Sequence, residues 1–229
     1  MNTLLRKLNT CLSLISQKGF LKTFRTFTDI YFFDWENGIE TRRALFKEQL
    51  DGLNINSTYY APVYPSTFSQ AMKVLPEAVR RGGFVDYGSG KGRALILAAK
   101  YGFKSVAGVE ISNRMYLQSL RNIRETPYEN IKVFLKDACD FPIPLDSTVF
   151  FMYNPFNDVV LRRVLRKIID HLDLVEECFL IYVGPLNEDS LNVSCIKNIY
   201  HSNESQTLRV YKLLKKKESA VIQFSKKSK

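Results

Sequence analysis

Carboxylates and glycines that could hold a ligand stand close together in the stretch Asp86-Tyr-Gly88-Ser89-Gly90-Lys-Gly92. Three glycines at alternate positions let the backbone turn with no Cβ in the way, so a ligand can lie against it. Glu110 ends the next apolar segment, eighteen residues after Gly92. A carboxylate at that place can accept both hydrogen bonds of a ribose diol. The two features together predict a site for a nucleoside cofactor.

The glycine spacing and Asp86 separate the possible nucleoside cofactors. Dinucleotide folds favour Gly-x-Gly-x-x-Gly below a pyrophosphate, whereas this chain has Gly-x-Gly-x-Gly. Asp86 would repel a pyrophosphate but can accept a hydrogen bond from an ammonium group. The Gly-Lys pair is not followed by Ser or Thr, which argues against the phosphate-binding loop of nucleoside triphosphatases. These features favour S-adenosylmethionine (SAM), and a nicotinamide dehydrogenase is the disfavoured alternative.

Strands and helices alternate from Phe84 onward, and this alternation positions the candidate residues. Apolar runs predict strands at 83–87, 105–110, 131–136, 148–153 and 178–183, with helices at about 92–101, 112–125 and 157–172. Two further stretches, 194–201 and 206–214, are expected to form an antiparallel pair of strands. The pattern is typical of an α/β, Rossmann-like, doubly wound sheet of seven mostly parallel strands, covered by helices on both faces.

The residues before the sheet predict an N-terminal helical extension and a segment that covers the cofactor, together residues 1–68. Apolar spacing indicates a helix within 3–30, for which packing on the domain is favoured and a membrane-surface helix is the alternative. Thr41 is expected to cap a helix that runs to about Leu50, and Ser66 or Thr67 a helix through Leu75. Residues 69–214 then form the catalytic domain, and 215–229 a basic, disordered tail.

The net charge of +10 is concentrated at the two ends of the chain. Residues 1–30 carry +4 and residues 215–229 carry +5, which leaves only +1 for 31–214. This weakens the case for a basic face within the fold. Weak contacts between the termini and anionic surfaces stay open.

The four cysteines form no CxxC pair and neither histidine has a cysteine at metal-ligand spacing. We therefore expect no metal and a cytoplasmic location. Ser, Gln, Lys and Gly interrupt the apolar residues near the N-terminus, so we also expect no transmembrane segment.

Polar or turn-forming residues follow four of the predicted strands: the glycine turn, Glu110, Asp137-Ala138 and Asn154-Pro155-Phe156. In open α/β sheets the ligand lies at the carboxyl ends of the strands, so these residues are expected to converge.

If SAM is the cofactor, the reaction is methyl transfer from a sulfonium, an in-line displacement that needs positioning and a dry site. Asn154 can accept a hydrogen bond from a nitrogen, and Phe156 can stack on a planar acceptor or enclose a lysine stem. Alternatively, Asn154-Pro155 merely ends a strand and starts a helix.

Residues 83–156 resemble a class I SAM-dependent methyltransferase, from Asp-x-Gly-x-Gly-x-Gly to Asn-Pro-Phe. More narrowly, the chain resembles a group of bacterial methyltransferases and, more distantly, the seven-strand protein-lysine methyltransferases. The bacterial group shares Phe-Asp-x-x-x-Gly-Ile-x-Thr, here 33–41, and Tyr-x-Pro-x-x-Pro-Ser-x-Phe, here 60–68. It also shares Gly-Ser-Gly-Lys-Gly-Arg and Tyr-Asn-Pro-Phe.

The resemblance implies a role for each matching position. The methionine end of SAM would be held by Asp86, Gly88, Ser89, Gly90 and Gly92. Glu110 would bind the ribose, Asp137 the adenine amino group, and Ala138 would lie beside the ring. Tyr60 would cover the methionine end, while Asn154, Pro155 and Phe156 would meet the methyl acceptor.

The methyl acceptor is not fixed by any residue, although a nitrogen of a protein side chain or other amine is favoured. A nucleic-acid methyltransferase and an inactive SAM-binding interaction module are the alternatives. Four further residues are expected to play no part in the chemistry. Lys91 and Arg93 should point to solvent, Tyr182 should serve in packing, and His171 should lie on the surface.

Overall fold

The computed structural model describes residues 28–42, 61–175, 177–186, 191, 194–204 and 206–215. The helix expected within 3–30 lies almost wholly outside these ranges, and so does the helix expected to follow Thr41. Tyr60 and the basic tail beyond residue 215 also lie outside the described residues.

The seven strands form one sheet in the order β3-β2-β1-β4-β5-β7-β6. They are β1 Gly83–Tyr87, β2 Ser105–Glu110, β3 Ile131–Leu135, β4 Ser147–Tyr153, β5 Cys178–Val183, β6 Ile196–Ser202 and β7 Leu208–Leu213. β1 to β5 are parallel, and β7 is antiparallel to both β5 and β6. The predicted Rossmann-like sheet is therefore confirmed. The chain leaves β1 towards β2 on one side and β4 towards β5 on the other, which makes the β1/β4 boundary the switch point where ligands bind.

Helices cover both faces of the sheet because the central strands are apolar on both sides. All five residues of β1 and all six of β5 are buried, as expected for parallel strands enclosed by helices. The helices are α1 Phe33–Asn37, α2 Pro65–Val74, α3 Arg93–Lys100, α4 Asn113–Arg124 and α5 Asp158–His171. Thr28–Phe32 forms a π-helical turn before α1, and Glu77–Arg81 and Leu172–Leu174 are 3₁₀ turns.

Two apolar layers fill the space between the helices and the sheet. On one face α2 and α3 pack with Phe33, Ile39 and Val63 of the N-terminal segment. On the other face α5 packs on β4 and β5 together with Phe141. The first layer draws the N-terminal segment onto the domain, beside the helix that follows the glycine turn.

The predicted cap of α2, Ser66 or Thr67, is wrong, because the helix already begins at Pro65, with Tyr64 as its N-cap. Proline suits the first helical position because its fixed φ is already helical and its missing N–H needs no partner. Ser66 instead contacts a distant carboxylate: its backbone N–H and its hydroxyl donate to Asp29, at 3.0 and 2.7 Å. Asp29 thus satisfies the first turn of α2 from another segment.

The prediction that His171 lies on the surface is also wrong. The buried side of α5 comprises Leu161, Val164, Leu165, Ile168 and His171, and this helical spacing places the imidazole in the same stripe as the leucines. The His171 ring nitrogen Nε2 lies 3.0 Å from the carbonyl oxygen of Ser147. This contact satisfies the buried ring and ties the end of α5 to the start of β4.

Candidate active site

The glycine turn after β1 uses left-handed backbone conformations. Gly88, Gly90 and Gly92 have φ angles of 77°, 54° and 87°, which glycine adopts far more readily than other residues. The N–H groups of Gly88 and Ser89 donate to the carbonyl oxygen of Val109, at 2.9 and 3.0 Å. The turn therefore lies against the end of β2, next to Glu110.

Glu110 fixes the glycine turn. Its Oε2 accepts from the Gly90 N–H at 2.7 Å, and its Oε1 accepts from the Ser112 N–H at 2.8 Å. Glu110 thus connects the end of β2 to both the glycine turn and the start of α4. The sequence predicted that Glu110 would bind a ribose, but not that it would fix the turn.

Asp86 is a buried carboxylate that makes no hydrogen bond to the residues the structure describes. Its side chain belongs to β1 and is 3% exposed. Burial, and secondly the negative charge of Glu110, raise the pKa of Asp86 well above its ordinary value. A buried carboxylate without a partner is unfavourable, and a bound cation would relieve that cost. This environment fits the ammonium group of SAM.

Asp137 and Ala138 follow β3, as predicted. Asp137 Oδ1 accepts from the Cys139 N–H at 2.7 Å, so the carboxylate shapes the turn in the manner of an Asx motif. Ala138 is buried in the same layer as Val109 and Phe141. The two residues stand at the sheet edge, one strand beyond Glu110.

Asn154, directly after β4, has a φ of +38°. Among the described residues it alone combines a side chain with a positive φ. Such backbone is unfavourable, least so for Asn and Asp, and it is concentrated at functional sites. Gly184 makes room for it, since a Cβ there would lie 3.0 Å from the Asn154 Cβ. The side-chain oxygen of Asn154 accepts from the Tyr182 hydroxyl at 3.2 Å.

Pro155 joins Asn154 and Phe156 to the glycine turn. A Cβ added to Gly88 would lie 2.7 Å from the Pro155 Cβ, closer than such atoms approach in real structures. The turn after β1 and the turn after β4 are therefore in direct contact. Pro155, predicted to meet the acceptor, and Gly88, predicted to hold the cofactor, therefore lie side by side at the switch point of the sheet.

Tyr182 does more than the packing expected from sequence. Burial, and to a smaller extent Asp158, raise the pKa of Tyr182 to about 12, although Arg209 opposes the shift. The hydroxyl therefore stays protonated and acts as a hydrogen-bond donor rather than as a base.

Gln206, in the connection between β6 and β7, was missed by sequence reasoning. Its Nε2 donates to the Tyr153 hydroxyl at 2.9 Å and to the Pro62 carbonyl oxygen at 3.2 Å. Its Oε1 accepts from the Tyr64 N–H at 2.8 Å. Gln206 thus holds the described part of the covering segment, 61–68, against the end of β4. No local sequence signal marks this residue, because its partners lie far away in the chain.

Residues 84–173 match the family model of a methyltransferase domain. These residues therefore form a methyltransferase domain, and the sheet that contains them has the fold of class I SAM-dependent methyltransferases. The resemblance inferred from the glycine turn and Asn-Pro-Phe is confirmed. A search of curated protein sequences found no match.

Solved structures with the same fold include several methyltransferases. An RNA methyltransferase from Salinibacter ruber, in complex with S-adenosyl-L-homocysteine, gives a TM-score of 0.54 at 16% identity, over 67% of this chain and 94% of that chain. The putative methyltransferase yhhF from Escherichia coli gives 0.53 at 16% identity, over 65% and 86%. The ribosomal protein L11 methylase from Lactobacillus delbrueckii subsp. bulgaricus gives 0.50 at 19% identity, over 66% and 76%. At these identities the likeness shows the fold alone.

Lys91 and Arg93 of the methyltransferase domain do not point to solvent, contrary to the prediction. Lys91 Nζ lies 2.7 Å from Glu40 Oε2, and Arg93 Nη2 lies 2.9 Å from Asp34 Oδ1. Both cations are buried because the segment 28–42 lies over the start of α3. The motif at 33–41 carries acidic residues, and the motif Gly-Ser-Gly-Lys-Gly-Arg carries basic ones. These opposite charges are the sequence signal that could have indicated the contact.

A cavity of about 280 Å³ opens beside the same segment. It is lined by Glu40, Lys91 and the side of α4 from Arg114 to Arg121. None of the predicted site residues lines it. Within the ranges that the structure describes, no helix is long and apolar enough to cross a membrane, and no cluster of His, Cys, Asp and Glu could hold a metal.

Proposed function

We propose that this methyltransferase moves a methyl group from SAM to a nitrogen acceptor, with an amine of a protein side chain as the favoured substrate. The observation that carries the proposal is the contact between Pro155 and Gly88. Asn154 directly precedes Pro155 in the chain and therefore lies near the turn that would hold the charged end of SAM. A nitrogen bound by Asn154 would therefore stand close to the methyl donor.

The cofactor would be held by the residues at the ends of the first three strands. Asp86, buried and without a hydrogen-bond partner among the described residues, would accept from the ammonium group. Glu110 would accept from the ribose hydroxyls and Asp137 from the adenine amino group. When bound, SAM supplies an electrophilic methyl on a sulfonium. The chain's own residues then have to position the acceptor and exclude water.

The acceptor would be positioned by Asn154. The Tyr182 hydroxyl holds the Asn154 side chain, and an amide oxygen can accept more than one hydrogen bond. Asn154 would accept from the amine and direct its nitrogen at the methyl group. A lysine ammonium would have to lose its proton first, and burial beside Phe156 and Tyr153 lowers the pKa of a buried amine.

Binding of SAM is tested by titration calorimetry on the wild type, Asp86→Ala and Glu110→Ala. We expect both variants to lose measurable binding, because each removes a carboxylate that SAM would contact. Asp140→Ala is the control, since Asp140 is an exposed acid in the turn after β3. Unchanged affinity in both site variants would contradict the assignment of the cofactor site.

The role of Asn154 is tested by Asn154→Gly. Glycine adopts a φ of +38° without strain, so this change removes the amide and spares the backbone. We expect SAM binding to persist while methyl transfer falls on the order of 100-fold. Transfer at the wild-type rate would mean that Asn154 only ends the strand.

The class of acceptor is tested with methyl-labelled SAM and a lysate of cells that lack this gene. Label that protease digestion releases supports a protein acceptor. Label that only nuclease releases makes the protein a nucleic-acid methyltransferase. Tight SAM binding with no label in any fraction, small molecules included, supports an interaction module.

A further inference from the structure

Arg93 is buried at the start of α3 and binds two segments that precede the methyltransferase domain. Its Nε donates to the Thr41 hydroxyl at 2.6 Å and its Nη2 to Asp34 Oδ1 at 2.9 Å. Its Nη1 donates to the carbonyl oxygens of Asp29 and Val63, at 3.1 and 3.4 Å. One guanidinium therefore joins the segment 28–42, the covering segment and the helix that begins right after the glycine turn.

The Asp34 carboxylate organises the segment on its side of this contact. It accepts from the N–H groups of Thr41 and Arg42, both at 2.7 Å, and from the Thr41 hydroxyl at 2.5 Å. The side chains of Asp34 and Arg93 are each 1% exposed. A buried ion pair is tolerated when hydrogen bonds satisfy its remaining groups, and these bonds do so. The carboxylate thereby closes residues 34–42 into a fixed loop.

The glycine turn itself is tied to the same loop. Asn122 Nδ2 donates to the carbonyl oxygens of Lys91 and Glu40, at 2.8 and 3.1 Å, and Asn122 Oδ1 accepts from the Glu40 N–H at 3.1 Å. The Lys91–Glu40 ion pair adds a bond between side chains. The turn is thus held through Gly90 by Glu110, and through Lys91 and Arg93 by the segment 28–42.

We propose that Arg93 is a positioning residue for the cofactor site. By fixing the segment 28–42 against the glycine turn, it holds Gly88, Gly90 and Gly92 in the left-handed conformations that leave room for a ligand. The inference rests on the proposed SAM site, and its decisive residues, Asp34, Glu40 and Thr41, lie outside the matched range 84–173. Arg93 does not need to touch the cofactor to do this.

The same coupling must work in both directions. If an ordered segment favours SAM binding, then bound SAM must favour the ordered segment, since the coupling free energy is shared by the two equilibria. The N–H groups of Thr41 and Arg42 report on the segment because both donate to Asp34. SAM should therefore slow hydrogen exchange in a peptide that covers residues 34–42.

The experiment combines SAM calorimetry with hydrogen exchange on the full chain. Thr41→Val removes the hydroxyl between Arg93 and Asp34 and keeps the shape of the side chain. Arg93→Lys keeps the charge and loses the planar fork that reaches several acceptors. We expect each variant to bind SAM about tenfold more weakly, within the usual range of such couplings. Exchange in 34–42 should be faster, and SAM should slow it less.

Lys100→Met is the matched control. Lys100 lies on α3 and pairs with Glu36 of α1 at 3.8 Å, but both side chains are about half exposed, at 47% and 48%. The variant breaks a contact between the same two elements and should change neither SAM affinity nor exchange in 34–42. If Arg93→Lys does not fold, Thr41→Val decides the outcome.

Two failures are distinguishable. A wild-type protein that does not bind SAM overturns the proposed function, and the inference on Arg93 with it. A wild-type protein that binds SAM, together with a Thr41→Val variant that exchanges faster in 34–42 yet binds SAM equally well, overturns the inference alone.

Discussion

The two halves of the candidate site are built in different ways. The cofactor half comprises the glycine turn and Glu110. There the backbone N–H groups of Gly88 and Gly90 bond to Val109 and Glu110, and a buried ion pair between Arg93 and Asp34 fixes the surroundings. The acceptor half comprises Asn154, Pro155 and Phe156 with their neighbours, and there side chains from distant strands and loops meet through neutral hydrogen bonds. Examples are Tyr182 with Asn154 and Gln206 with Tyr153.

This difference suggests that the halves tolerate change unequally. The bonds of the cofactor half depend on glycine conformations and on charges that cannot be left unpaired. The acceptor half depends on individual neutral bonds, each contributing on the order of 1 kcal/mol. We therefore expect substitutions in the acceptor half to be tolerated better than substitutions in the cofactor half.

The largest expected effect is on the ion pair beside the cofactor half. Asp34→Asn should lower the free energy of unfolding by about 3–5 kcal/mol, because it leaves the buried Arg93 charge without its partner. Urea denaturation measures this change. Glu177→Gln, which breaks a partly exposed pair with Lys212, is the control and should cost about 1 kcal/mol or less. If both variants lose the same free energy of unfolding, burial does not make the Asp34–Arg93 pair more important than the partly exposed pair.

The second-largest expected effect concerns the contact between Gly88 and Pro155, which joins the two halves of the candidate site. Gly88→Ala adds a Cβ 2.7 Å from the Pro155 Cβ, at a φ of +77°. Gly102→Ala adds a Cβ at a φ of +84° with nothing within 4 Å, so it carries the backbone strain without the clash. Both should lose about 1–2 kcal/mol of stability from the left-handed backbone, as urea denaturation would show.

Calorimetry with SAM then separates the two glycines. Only Gly88→Ala should also weaken SAM binding, by tenfold or more, because its Cβ displaces the turn or Pro155. Equal SAM affinity in the two alanine variants would mean that the contact with Pro155 does not shape the cofactor site.

Asp86 should make the cofactor half less stable as the pH rises. Burial and Glu110 raise its pKa above 3.8 in the folded state, so the folded protein binds the proton more tightly than the unfolded chain. Stability is therefore lost as the pH rises from about 4 through the raised pKa. Asp86→Asn should be more stable than the wild type at neutral pH, and the gain should shrink towards pH 3.8. Thermal unfolding across this range measures it, and a variant less stable at neutral pH would contradict the prediction.

The same contrast explains what sequence patterns could predict. The fold and the cofactor half follow from local signals: apolar runs give the strands at 83–87 and 105–110 at their observed limits, and the glycine turn needs glycine for its backbone. Contacts between remote positions leave no such local signal. Arg93 meets Asp34 across 59 residues, and Gln206 meets Tyr64 across 142. The sequence therefore wrongly predicts that Arg93 points to solvent, and it does not reveal the role of Gln206.

The smallest expected effect tests whether the acceptor half depends on one neutral hydrogen bond. Tyr182 and Tyr87 are buried in the same apolar layer. The Tyr182 hydroxyl donates to Asn154, whereas that of Tyr87 has no hydrogen-bond partner among the described residues. Tyr182→Phe should therefore lower the free energy of unfolding by about 1 kcal/mol, while Tyr87→Phe should be neutral or slightly stabilising. Both are measured by urea denaturation.

Methyl-transfer assays on the same two variants separate packing from positioning. Tyr182→Phe should slow transfer, because Asn154 is then free to turn away from the acceptor, and Tyr87→Phe should not. Since the pKa of Tyr182 is about 12, its hydroxyl is protonated throughout the neutral range, and the deficit should not vary with pH there. Identical behaviour of the two variants would mean that packing alone holds Asn154. The acceptor half would then owe its geometry to shape rather than to hydrogen bonding.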